Sequence, residues 1–198
     1  MYLQPTARFF AAVAALALCA CTADGNDNLS TVELQLASSG PMPAGADTLS
    51  LVVRSVAVHV GDSGAEALAA DDFGSDADGR WHTLSVERAV TFPNSGIALG
   101  SLKLPAGAIT QIRLNLGSAA GLVAPQGGCT LDLTPYATTG WRLSLPFKPF
   151  ATYHGVSHVG LLALDLSATL IPTGNCFGLQ PTLGVASWQS SGHPISVN

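Results

Sequence analysis

Charge is the first thing this sequence is short of. Only 11% of its 198 residues are Asp, Glu, Lys or Arg, roughly half the share of an ordinary soluble domain. Eight are cationic against thirteen acidic, for a net charge of −5. So little positive charge cannot neutralise a phosphate backbone, which excludes a nucleic-acid partner. Long apolar runs are missing as well. The ten-residue run Phe9–Leu18 falls far short of the roughly 20 residues a spanning helix needs. Lysine is confined to Lys103 and Lys148 and glutamate to Glu33, Glu66 and Glu87, so surface helix formers are scarce. There are four cysteines and no CxxC, which leaves no zinc-ribbon pattern. The 21 Gly and 12 Pro have no period, which excludes collagen, and 47% hydrophobic content argues against wholesale disorder. The chain is long enough for one domain with a buried core.

What is present begins with an address. Arg8 precedes the apolar run, and Leu18-Cys19-Ala20-Cys21 follows it. A short apolar stretch with these flanks fits a signal-peptide core. The four residues resemble a bacterial lipobox: an aliphatic residue at −3, small residues at −2 and −1, then the cysteine. Cys19 fits less well, because Leu18 would occupy its small −1 site. The resemblance implies cleavage after residue 20 and acylation of Cys21, and two or more buried chains anchor stably where one is marginal. Thr22, standing where Asp would hold a lipoprotein at the inner membrane in enteric-type sorting, points to the outer membrane. Residues 21–29 are small and polar and read as a flexible tether. Residues 30–198 are expected to form a single domain.

Export implies an oxidising compartment, where Cys129 and Cys176 are expected to join. Neither has a His or a third Cys at metal-ligand spacing.

The body reads as strands. Period-two alternation runs through Val32–Leu36, Leu49–Val53, Val56–Val60, Ile97–Leu104, Ile112–Leu116, Trp141–Phe147 and Leu162–Leu170, with a further strand over Thr182–Trp188. Apolar parity slips at Arg54–Ser55 and at Gly100–Ser101, as a β-bulge makes it do. Ala65–Ala70 is the only candidate helix. Seven or more short strands between Gly/Pro turns predict an all-β fold: a two-sheet antiparallel β-sandwich with one disulfide.

Three pieces carry a family resemblance. A strand ends in Ser55-Val56-Ala57-Val58-His59. Trp81-His82-Thr83-Leu84 follows after a loop. Then comes Leu99 through Leu114, with Leu-Pro-Ala-Gly at 104–107 and Gln111-Ile112-Arg113-Leu114. Together they resemble the surface-lipoprotein family called domain of unknown function 4382, although Ile109 stands where that family has Tyr. The resemblance spans about a third of the chain. It implies a transthyretin-like or immunoglobulin-like sandwich and brings no activity with it. Within the third piece, Pro105 suits a turn corner and Gly107 a positive φ. Arg113 is expected to pair with Glu87 or Asp165 across the sheet.

Several motifs bear on chemistry. Gly61-Asp62-Ser63-Gly64 echoes a chymotrypsin-type nucleophile segment, but no His precedes His59, so a polar turn explains it better. His154 and His158 stand at i and i+4; Gly155 and Val156 oppose a helix, and on a strand the two lie roughly 13 Å apart, too far for one metal ion. Asp71, Asp72, Asp76 and Asp78 form an acidic loop that offers calcium-type oxygens. They fail the EF-hand spacing, since Gly74 and Ser85 fall where Asp and Glu belong, and dense like charge usually extends a loop. No cofactor is expected. Trp81 and Trp188 are candidates for an exposed sugar platform, and Trp141 reads as core.

The resulting expectation is a lipid-anchored cell-envelope protein acting as a non-catalytic binding or structural module. Its partner would be an envelope protein or a glycan, met through end loops. Two rivals remain: an envelope hydrolase using His154 or His158 with Asp165 and Ser157, and a carrier of a small apolar ligand between the sheets.

Overall fold

The computed structural model describes residues 29–61, 80–124, 127–136, 140–142, 150–180 and 182–195. The signal segment 1–20, Cys21, the turn at 62–64, the helix expected at 65–70 and the acidic residues Asp71, Asp72, Asp76 and Asp78 lie outside them.

Two sheets face each other. The first contains β1 (Ser30–Ser39), β4 (Ile97–Leu104), β9 (Ser157–Asp165), β12 (Leu183–Ser190) and β13 (His193–Ile195), in the order β13-β12-β9-β1-β4. The second contains β2 (Thr48–Gly61), β3 (Trp81–Phe92), β5 (Gly107–Val123) and β6 (Cys129–Asp132), in the order β3-β2-β5-β6. Two short strands, β7 (Trp141–Arg142) and β8 (Phe150–Thr152), also pair with β5. A separate hairpin joins β10 (Leu170–Thr173) to β11 (Cys176–Leu179). The expected sandwich is therefore present, with one departure from antiparallel pairing: β1 and β9 run parallel.

Alternation explains the layers. In β1, Val32, Leu34 and Leu36 are buried and Glu33 and Gln35 face outward. In β2, Leu49, Leu51 and Val53 point inward, and so do Val56, Val58 and Val60. The register shift between Val53 and Ser55 reconciles the two parities, because one extra residue at Arg54 rotates the strand. In β4 the register skips Leu99, so that Leu99 and Leu102 both reach the core. Trp188 of β12 lies flat on Phe150 of β8, centroids 4.4 Å apart and planes 2° from parallel. This stack joins the two layers at the centre of the core. Burying each such large apolar side chain contributes roughly 1.5–3 kcal/mol.

Two expectations need correction, and one strand went unread. The strand read through Leu170 stops at Asp165, whose carboxylate accepts from Ser167 N at 3.0 Å and Ala168 N at 3.2 Å. That cap starts a single helical turn, α1 (Leu166–Thr169), and Leu166 and Leu170, four apart, stay buried through it. Gly107 does not take a positive φ. It is needed for space: a Cβ there would fall 2.7 Å from Val60 Cγ1. The strand β3 carried no clean alternation, because its outer residues are half-exposed or exposed from His82 to Ala89.

The path of the chain gives the sandwich two distinct poles. Ser30 pairs with Leu104, Thr152 Oγ1 donates to Pro105 O at 2.8 Å, Gly107 pairs with Thr152, and Gly61 pairs with Ala108. This is the pole at which the chain enters β1. At the opposite pole Ser39 pairs with Asp165, Asp47 N donates to Val123 O at 2.8 Å, and Leu122 pairs with Cys129. The length of β1 separates the poles by roughly 30 Å.

Candidate functional site

Residues from each of the three sequence pieces meet on the outer face of the second sheet, while Leu99–Leu104 of the third piece lies in β4 of the first. His59 of β2 sits opposite Trp81 of β3 and Gln111 of β5. A register shift at His59–Val60 turns both Thr110 and Gln111 to this face, while Ile109 and Ile112 stay in the core. His59 Nδ1 is 2.6 Å from Thr110 Oγ1, and its ring centroid is 5.0 Å from that of Trp81. Arg113 Nε donates to Gln111 Oε1 at 2.6 Å, and its Cζ lies 4.5 Å over the Trp81 ring. Arg113 has no solvent exposure.

This arrangement corrects two expectations. Arg113 does not pair with Glu87 or Asp165. The register sets it opposite Ala57 and Arg142; Glu87 is exposed on β3, and Asp165 caps α1 in the other layer. Nor do Trp81 and Trp188 form an exposed platform. Trp81 is 8% exposed under Arg113, and Trp188 is fully buried. Trp141 is core, as expected, edge-on to Tyr136 at 6.1 Å. An aromatic face covered by a guanidinium and a buried amide is a locked structural knot, worth roughly 2 kcal/mol in the cation–π contact when desolvated.

The residues of the hydrolase reading are scattered. His154 is exposed in the turn before β9, Ser157 is exposed at its start, and His158 points into the core. Asp165 closes the same strand seven residues beyond His158, roughly 23 Å away along an extended chain, and its carboxylate is engaged by Ser167 and Ala168. Among the described residues, those of this reading bring no nucleophile, base and orienting group together. His158 lies 6.2 Å from Trp188 between ring centroids, and neither of its ring nitrogens has a hydrogen-bond partner. Burial holds its pKa below the ordinary value. His82 is lowered too, first by burial and then by the neighbouring His59 charge.

The disulfide forms as predicted, Cys129 to Cys176, with Cα atoms 6.3 Å apart. It ties the β10–β11 hairpin to β6. Tyr136 Oη donates to Leu179 O at 3.1 Å and Gln180 N to Thr169 O at 2.8 Å, fixing the base of the hairpin. Beside this clasp a cleft of about 480 Å³ opens at the pole opposite Ser30. Three turns converge on it, at Ala44–Gly45, Ala124–Gly127 and Gly174–Asn175, and Phe177 and Pro172 add apolar surface. A second hollow of about 380 Å³ lies along β12 beside Asp165. Both open at the surface, whereas the Trp188–Phe150 stack fills the space between the sheets where a carried apolar ligand would sit. Sequence reasoning did not single out the cleft. Its signals were weak ones: turn glycines and an Asn next to a paired cysteine.

No family model matches the chain, and no curated protein matches it. The three-piece pattern is thus a resemblance of motif without a family assignment. Among solved structures, a candidate cell adhesion protein of Bacteroides eggerthii is similar at a TM-score of 0.35 and 11% identity, over 84% of this chain and 56% of that one. The chain spans little more than half the length of that protein.

Proposed function

We propose that the chain is a lipid-anchored, non-catalytic binding module of the bacterial cell envelope, at the outer membrane. Cys21 carries the anchor, residues 22–29 lead into β1, and the cleft at the far pole meets the partner. The observation that carries this reading is the opposition of the two poles. The tether enters at Ser30, and the cleft opens beyond Ser39, where it faces away from the surface to which the chain is fastened. A sandwich that works through turns at one end needs such an orientation. The partner-facing role is assigned to the turns around the cleft. The convergence of His59, Trp81, Gln111 and Arg113 supports kinship with the domain of unknown function 4382 surface lipoproteins, since the three matching pieces build one knot.

The test has two arms. In living cells, labelled palmitate enters the wild type and not Cys21→Ser, and the variant leaves the membrane fraction. A photo-crosslinking residue at position 175 yields covalent adducts, and the same residue at position 103, on the exposed tether side, yields none. A Cys21→Ser protein that stays membrane-bound, or adducts confined to position 103, defeats the reading.

A further inference from the structure

The cleft also has a chemistry of its own. Resting on the binding-module reading, we infer that it takes a neutral saccharide.

The lining excludes charged ligands. None of the described residues around the cleft is charged, and Asn175 supplies the only side-chain amide. A phosphate, carboxylate or ammonium entering here would lose hydration and meet no counter-charge, which costs several kcal/mol.

The lining also disfavours a purely apolar guest. Gly45, Gly127 and Gly174 contribute one glycine to each turn, with φ of +87°, +115° and +58°. No atom lies within 4 Å of where their Cβ atoms would be. At these three positions the wall of the cleft is main chain and not side chain, and an apolar ligand would cover it and the Asn175 amide without pairing them. An extended peptide fits poorly for a different reason. Strand addition requires a row of successive N–H and C=O groups along a sheet edge, and the rim here consists of turns.

What remains is a neutral ligand with one apolar face and a hydroxyl-rich edge, which is a sugar ring. Phe177 and Pro172 suit the apolar face; Asn175 and the turn peptides suit the hydroxyls. The cleft volume of about 480 Å³ falls in the range of small-ligand sites. The wall is set before binding: Cys129–Cys176 and the Tyr136–Leu179 hydrogen bond hold the hairpin, so little ordering is left for the ligand to drive.

The experiment uses the mature lipidated protein in detergent on an array of neutral, sialylated and sulfated glycans, followed by calorimetric titration with the neutral sugars retained. The expected result is retention of neutral glycans by the wild type. Asn175→Ala and Phe177→Ala each weaken it by about tenfold or more, whereas Glu33→Gln on the opposite sheet leaves it unchanged. Phe177 is half-buried, so thermal melts accompany each variant, and Asn175→Ala, exposed in its turn, carries the test if Phe177→Ala does not fold. Retention of acidic glycans alone, equal binding by Asn175→Ala, or no retention at all overturns the inference. Polypeptide adducts from position 175 together with an empty array would leave the binding module standing and remove the sugar.

Discussion

Trp188 lies directly across Gly160. A Cβ placed on that glycine would come within 2.7 Å of the indole Cε3, and closer still to Cζ3. The indole cannot retreat, because Phe150 is stacked on it at 4.4 Å. Gly160→Ala should therefore destabilise the fold by about 1–3 kcal/mol through overpacking. Gly184→Ala on the adjoining strand, where nothing stands within 4 Å of the new atom, should cost well under that. Urea unfolding of the two variants side by side checks the difference, and equal midpoints would refute the account of the stack.

A second prediction concerns Arg113. Its guanidinium meets Trp81 and Gln111, whereas Glu87 is exposed on β3. A double-mutant cycle between positions 113 and 81 should return a coupling of about 1–2 kcal/mol. The cycle between 113 and 87 should return none. Arg113→Lys should not rescue, since an ammonium lacks the flat face that lies over the indole.

Acid should loosen the tether-side core. Burial lowers the pKa of His158 from its ordinary 6.5, so on acidification the unfolded chain takes up the proton first. Stability is then complete above about pH 6.5 and declines as pH falls below it, by at most about 1.4 kcal/mol per pH unit for this group. His82 contributes in the same direction. Melting temperatures measured from pH 7.5 to 5.0 should fall in the wild type and fall less in His158→Phe. An identical slope in both would assign the effect elsewhere.

The clasp gives a fourth prediction. Cys129 and Cys176 close a loop with a sequence separation of 47, and reducing the bond should cost roughly 4 kcal/mol on the chain-entropy estimate. Hydrogen exchange should show the loss concentrated in β10, β11 and β6, because the hairpin pairs with neither main sheet. Uniform loss of protection across both sheets would contradict that placement.

How much of this was readable beforehand depends on the scale of the interaction. Alternating apolar and polar residues marked β1, β2, β4 and β5, and the slip at Arg54–Ser55 was visible as two valine parities meeting, although from Ile109 to Leu114 both faces of β5 are buried. The same logic failed at Leu166, where leucines spaced for a strand also suit a helical turn once Asp165 caps it. It failed again over β3, whose residues are mostly outside the core. Neither the gathering of His59, Trp81, Gln111 and Arg113 nor the closure of three separate turns into a cleft is written in any local pattern. Both depend on register between strands far apart in the chain.

The Cys129–Cys176 bond also has a bearing on when the protein becomes competent. On the proposed export route, the two thiols stay reduced in the cytosol and join only after the chain has crossed the membrane. One wall of the cleft would thus be completed after secretion and not before. Molecules delayed inside the cell would have their strands but an unfinished pocket, and translocation itself would serve as the step that licenses them to bind.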